Sequence, residues 1–166
     1  MEFIDLFDKD DRPLGRTVDR HHPRTKDEYR RITELWIRRP DGRYLIQQRS
    51  KNKKLYALKW SCSVSGAQSA GESPMDTALR ETKEELGLVL RQDRARFFGR
   101  VTDENVHFHI YLFTQDVRED ELTPEPMEVE AVRFVTKEEM DRMIDAGDML
   151  AWDYYPAFFL WAEEIK

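Results

Sequence analysis

The chain has one cysteine, Cys62, among 166 residues. A single thiol excludes an internal disulfide framework and any multi-cysteine zinc site. There is no excess of basic charge: 27 lysines and arginines face 33 acids, a net charge of -6. That balance argues against a protein built mainly to grip nucleic acid or an anionic membrane. No window approaches the roughly 18 apolar residues of a membrane span. Met1 to Arg12 lacks the basic start and apolar run of a signal peptide. Internal repeats and low-complexity tracts are absent as well. The expectation is a cytoplasmic protein with a reduced thiol.

What is present suits one globular domain spanning 1–166, with a short N-terminal strand extension over 1–20 and a helical tail over about 150–166. Hydrophobic residues make up 40% and aromatics 11%, enough for a core despite 36% charged residues. Phe3 to Val18 reads as two strands around the polar turn Asp8-Lys9-Asp10-Asp11, and Asp19 to Asp27 as a polar loop. Ile32–Ile37 and Tyr44–Arg49 flank Pro40-Asp41-Gly42 and read as a hairpin. A basic loop with Lys53 and Lys54 follows, then a small-residue run from Ser61 to Gly71. Later strands are expected at Phe97–Val101, Phe108–Phe113 and Val129–Val135, with helices at Lys137–Ala146 and Tyr154–Ile165. Helices and strands mix without regular alternation. The fold class is therefore α+β, with a mixed sheet flanked by helices.

The clearest helix starts at Ser73, a cap with Pro74 and Asp76 placed as in a capping box, and stops at Gly87. On a helical wheel Met75, Ala78, Leu79, Thr82 and Leu86 share a core-facing side. Glu81, Glu84 and Glu85 share a neighbouring stripe, because positions i, i+3 and i+4 meet on one face. Three carboxylates so close repel one another, and a hard divalent cation with its preference for oxygen ligands removes the conflict. A solvated acidic face is the ordinary alternative.

The wider spacing bears on the choice. Gly66 precedes Glu72 by five intervening residues, and seven more separate Glu72 from Arg80-Glu81-Thr82-Lys83-Glu84-Glu85-Leu86-Gly87-Leu88. This resembles the Nudix box, departing only at Thr82, where an aliphatic residue is usual. The resemblance implies a Nudix fold, an α/β/α sandwich with a curved mixed sheet and the box as loop–helix–loop. It implies hydrolysis of a nucleoside diphosphate derivative with Mg2+ or Mn2+. By position, Glu81, Glu84 and Glu85 would ligate the metal, with the Gly66 carbonyl. Arg80 and Glu72 would support them. Glu81 or Glu85 would be the general base. A glutamate beyond the box completes the site in some members, and Glu128 is the first candidate here, Glu104 the second.

Residues before the box narrow the resemblance to the branch related to isopentenyl diphosphate isomerase: the N-terminal strand pair, Asp41-Gly42, Gln48-Arg49-Ser50, Lys53, Lys54 and Trp60. That isomerase uses a cysteine before the box glycine and a metal bound partly by histidines. Here those positions are Ser65, Ala67 and Arg30, while His21 and His22 fall near a third. Cys62 lies three residues too early. The resemblance thus favours a hydrolase on an isomerase-like frame, over an isomerase or a non-catalytic nucleotide-binding module. Arg49 and Lys53 match basic positions that meet a diphosphate, so they are candidate substrate contacts. Trp36 and Trp60 are expected in the core. The aromatic tail suits either sheet packing or a homodimer contact. His107 and His109 share one face of a strand, as a metal pair or as hydrogen-bonded strand residues.

Overall fold

The computed structural model describes all residues, 1–166. Strands β1 (Phe3–Phe7) and β2 (Pro13–Asp19) form an antiparallel pair of their own. The main sheet has seven strands: β3 (Arg30–Arg38), β4 (Tyr44–Arg49), β5 (Trp60–Ser61), β6 (Val64–Ala67), β7 (Ala95–Asp103), β8 (Val106–Thr114) and β9 (Val129–Val135). Three helices complete the chain: α1 (Pro74–Leu86), α2 (Lys137–Asp145) and α3 (Tyr155–Glu164). β3 and β8 run parallel from Arg30↔Val106 to Arg38↔Thr114, while the other ladders are antiparallel. The sheet is therefore mixed, as the sequence predicts.

Central strand β3 shows why the sheet is a middle layer. Leu35, Trp36 and Ile37 are all fully buried, so both faces of the strand are covered. Leu35 and Ile37 pack with Ala78 and Leu86 of α1 on one side. Trp36 packs with Met140 of α2 and Phe158, Phe159 and Ala162 of α3 on the other. The tail aromatics thus cover the sheet, with Trp36 lying 4.9 Å from Phe159 and 5.1 Å from Tyr155 between ring centroids. Trp60 is half-buried against the same core.

The expected hairpin forms only at its closed end. β3 pairs with β4 at Ile37↔Leu45 and Arg38↔Tyr44, then the two strands part. Trp60 and the small-residue run after it carry no strand signal in the sequence, yet they form β5 and β6. β6 takes the edge of β3 from Ile32↔Ala67 to Leu35↔Val64. The fork is sealed by the buried hydroxyl of Ser63. It accepts the Ile37 N–H at 2.8 Å and donates to the Leu45 carbonyl at 2.5 Å. Both backbone groups would otherwise be buried without partners.

Helix α1 starts and stops where its caps dictate. Ser73 and Asp76 form the reciprocal capping box, and Gly87 ends the helix at φ 67, a conformation that favours glycine. Thr82 replaces an aliphatic residue without an orphaned hydroxyl, since it donates to the Ala78 carbonyl at 2.7 Å and is fully buried. No helix is long and apolar enough to cross a membrane.

Candidate active site

A cleft of about 630 Å³ opens between α1, β6 and the segments after β4 and before β9. Gly66, Glu81, Glu84, Glu85, Arg80, Arg49, Lys53 and Glu128 all line it. Glu72 supports it from behind. The candidate site residues, 49–128 in the chain, thus converge on one place. Glu104 does not: it sits exposed in the β7–β8 turn, with Arg24 at 3.8 Å.

The three helix glutamates share a stripe but not an environment. Glu84 is exposed, Glu81 half-buried, and Glu85 buried. Glu85 accepts from Gln47 Nε2 at 2.8 Å, and the same amide donates to the Ser63 carbonyl at 2.8 Å. The fork between β3 and β4 therefore fixes Glu85. Burial pushes its carboxyl up to about 7, with the hydrogen bond from Gln47 opposing and the charges of Glu81 and Glu128 adding to the rise. Burial also raises Glu81, against the pull of Arg80. Glu81 presses against Gly66 so closely that a β-carbon there would lie 2.2 Å from the Glu81 carboxyl carbon. The glycine is the cradle for that carboxylate.

Arg80 organises the rest. Its Nε and Nη2 clamp the two oxygens of Glu72 at 2.6 and 3.0 Å, a bidentate pair. Nη2 also donates to the Ala67 carbonyl at 3.0 Å, and Nη1 reaches Glu81 at 2.8 Å and Glu84 at 3.1 Å. Glu72 in turn accepts from the Ser69 N–H at 3.0 Å and the Thr77 hydroxyl at 2.9 Å. Arg80 engages Glu81 and Glu84, and no three acidic, histidine or cysteine side chains converge as a ready-made metal cluster. The donor set still suits a hard divalent cation. It is all oxygen, and two of its carboxylates are raised by burial, a charge deficit that a cation would reverse.

The basic candidates lie across the cleft. Arg49 donates through Nε to the Leu55 carbonyl at 3.1 Å. Lys53 forms an ion pair with Glu128. Gln47, on Glu85, and Ser65 and Glu125, in the cleft lining, join the site beyond the expected set. Gln47 had a usable signal, since it stands two residues before Arg49 and so faces the same side of β4. Cys62 belongs to the core on the α3 side and is buried, so it is not a cleft residue. His107 and His109 are hydrogen-bonded strand residues. His107 contacts Thr102 Oγ1 and the Asp8 carbonyl, each at 2.8 Å, and His109 contacts Asp11 at 2.9 Å.

A layered mixed sheet with a glutamate-bearing capped helix beside a glycine cradle defines the class of protein. A family model described as NUDIX domain matches residues 28–158. An uncharacterized Nudix hydrolase of Listeria monocytogenes is 33% identical over 163 residues, covering 96% of this chain and 92% of the relative. An isopentenyl-diphosphate Delta-isomerase of Salmonella heidelberg is 30% identical over 108 residues, covering 63% of this chain and 59% of that enzyme. Among solved structures, DR0079 from Deinococcus radiodurans superposes with a TM-score of 0.74 at 23% identity, over 92% of this chain and 94% of that one. The NUDIX domain of Shewanella oneidensis NrtR, solved with ADP ribose, gives 0.66 at 13% identity, over 90% and 94%. The chain belongs to the Nudix hydrolase family.

Proposed function

We propose that this protein hydrolyses a phosphoanhydride bond in a nucleoside diphosphate derivative, using Mg2+ or Mn2+. The observation that carries this reading is the Gly66–Glu81 cradle beside buried Glu85. Glu81, Glu84, Glu85 and the Gly66 carbonyl would hold the metal, with Glu128 released from Lys53 to complete the set. A bound divalent cation supplies charge neutralisation of the phosphate oxygens and acidifies water. Glu81 or Glu85 accepts the proton of the attacking water. Arg80, fixed by Glu72, orients Glu81 and Glu84. Arg49 offers a fork to phosphate oxygens and Lys53 a point charge. Ser65 and Ala67, in place of cysteine and histidine, support hydrolysis over alkene isomerisation. The test is incubation with Mg2+ and a panel of nucleoside diphosphates, nucleotide sugars and dinucleotides, with released products followed. Turnover of at least one member is expected. Absence of turnover by folded protein on every member overturns the reading.

A further inference from the structure

A second cavity, of about 190 Å³, adjoins the cleft and shares Ile4, Arg20, Ile32 and Ala67 with it. Its charged and polar lining is wholly basic: Arg20, His21, Arg24, Arg30 and Arg31. In a chain of net charge -6, four arginines around one small cavity are not a by-product of composition. Like charges so close repel, and the repulsion is relieved by carboxylate partners or by a bound anion.

Three of the four have carboxylate partners. Arg20 pairs with Glu2, Arg31 with Asp11 at 2.7 Å, and Arg24 stands 3.8 Å from Glu104. Arg30 has no carboxylate partner. It is half-buried, and its guanidinium donates to the Arg20 carbonyl at 2.8 Å and to the His22 carbonyl. Those carbonyls orient the planar fork, and the only carboxylate charge acting on it, that of Glu28, lies beyond ion-pair distance. Burial, with the charges of Arg24 and Arg20 and against that of Glu28, holds Arg30 below the ordinary arginine range. An oriented guanidinium with no direct ion pair is well suited to a phosphate dianion. Pairing of β3 with β6 at Ile32↔Ala67 brings Arg30 and Ala67 to one cavity, where the small methyl leaves room beside the guanidinium.

We propose that the side cavity binds a phosphate monoester of the substrate, separate from the diphosphate in the main cleft, with Arg30 at its centre and Arg24 at its rim. The proposal rests on the hydrolase reading above and narrows its substrate to a nucleoside diphosphate derivative bearing a further phosphate.

Two measurements test it. In the first, inorganic phosphate is titrated into the full-length protein while the Arg30 Nε–H resonance, assigned by its loss in Arg30→Gln, is followed by NMR. The resonance is expected to shift saturably, with affinity about tenfold weaker in Arg24→Gln, whose exposed side chain tolerates change. A resonance that does not move overturns the proposal. This measurement needs no turnover, so it stands even if the hydrolase reading fails. In the second, kcat/KM is compared for ADP-ribose and its 2′-phosphate, and for coenzyme A and its 3′-dephospho form. For at least one pair the phosphorylated member is expected to be preferred, and Arg24→Gln to cut that preference about tenfold. No preference in either pair, or one that Arg24→Gln leaves unchanged, assigns the cavity to free phosphate and overturns the substrate assignment.

Discussion

Glu81 and Glu85 differ by one turn of helix, yet each depends on a separate partner. Glu85 is buried and held by Gln47, so replacing it with glutamine keeps the volume and removes the charge. Glu85→Gln is expected to lower kcat about 100-fold or more, the scale of a lost general base, while circular dichroism stays native. Unchanged activity would place the metal site elsewhere. Gly66 supports Glu81 by having no side chain. Its backbone is ordinary, so alanine meets no conformational penalty, only the Glu81 carboxyl 2.2 Å away. Gly66→Ala is expected to cost about 1–3 kcal/mol of stability through overpacking. Activity should fall further than that loss explains, because Glu81 must swing out of the cradle. Denaturant unfolding and kcat on the same preparation separate the two effects, and equal activity would show that the cradle has no catalytic consequence. The stripe of glutamates was legible from helical spacing alone. The burial that sets Glu85 apart was not, because it comes from Gln47 and Ser63, which reach it only through long-range strand pairing.

Whole elements were legible where periodicity and caps agree, as in α1, and illegible where partner choice decides. β6 is Val-Ser-Gly-Ala, with little strand propensity of its own, and it forms because β3 offers an edge after the fork. Helix α3 shows the same dependence. It has no side-chain cap at its start, and β3 holds it from alternate positions on one face. At one end Tyr154 donates to Glu34 at 2.7 Å and accepts from Trp36 Nε1 at 3.1 Å. At the other, Arg38 donates to the Ala162 and Ile165 carbonyls at 2.5 and 2.7 Å. Glu34 is buried, and burial raises its carboxyl above the ordinary range, against the hydrogen bonds from Tyr154 and Cys62. A folded-state pKa above the unfolded value means the folded state holds the extra proton. That contribution is present at low pH and lost as pH rises through the folded value. Glu34→Gln removes this dependence, so its melting temperature relative to the parent should climb between pH 5 and pH 8. Melts at both pH values give the comparison, and a gap that ignores pH would mean Glu34 does not titrate there.

At the scale of the molecule, a net charge of -6 looks ill-suited to a diphosphate substrate. The distribution resolves this. Six glutamates, Glu2, Glu81, Glu84, Glu85, Glu125 and Glu128, line one cleft, and the arginines Arg20, Arg24, Arg30 and Arg31 surround the cavity that joins it. At the acidic end, burial first and neighbouring carboxylate charge second raise the carboxyls of Glu81 and Glu85, so holding both ionised without a cation costs the folded chain free energy. A ligand that binds only the folded state stabilises it by mass action, about 2.7 kcal/mol at one hundred times its dissociation constant. For a domain of this size each kcal/mol moves the melting temperature by about 2–4 °C. Saturating Mg2+ added to chelator-treated protein at pH 8 should then raise the melting temperature by roughly 5–10 °C. Sodium chloride at matched ionic strength should not, because screening acts on all surface charges alike. In Glu85→Gln most of the Mg2+ increment should vanish, since a buried oxygen donor has lost its charge. An equal rise with sodium, or an undiminished rise in Glu85→Gln, would mean that magnesium acts on the surface at large and that the acidic cleft is not where the chain's negative charge is put to use.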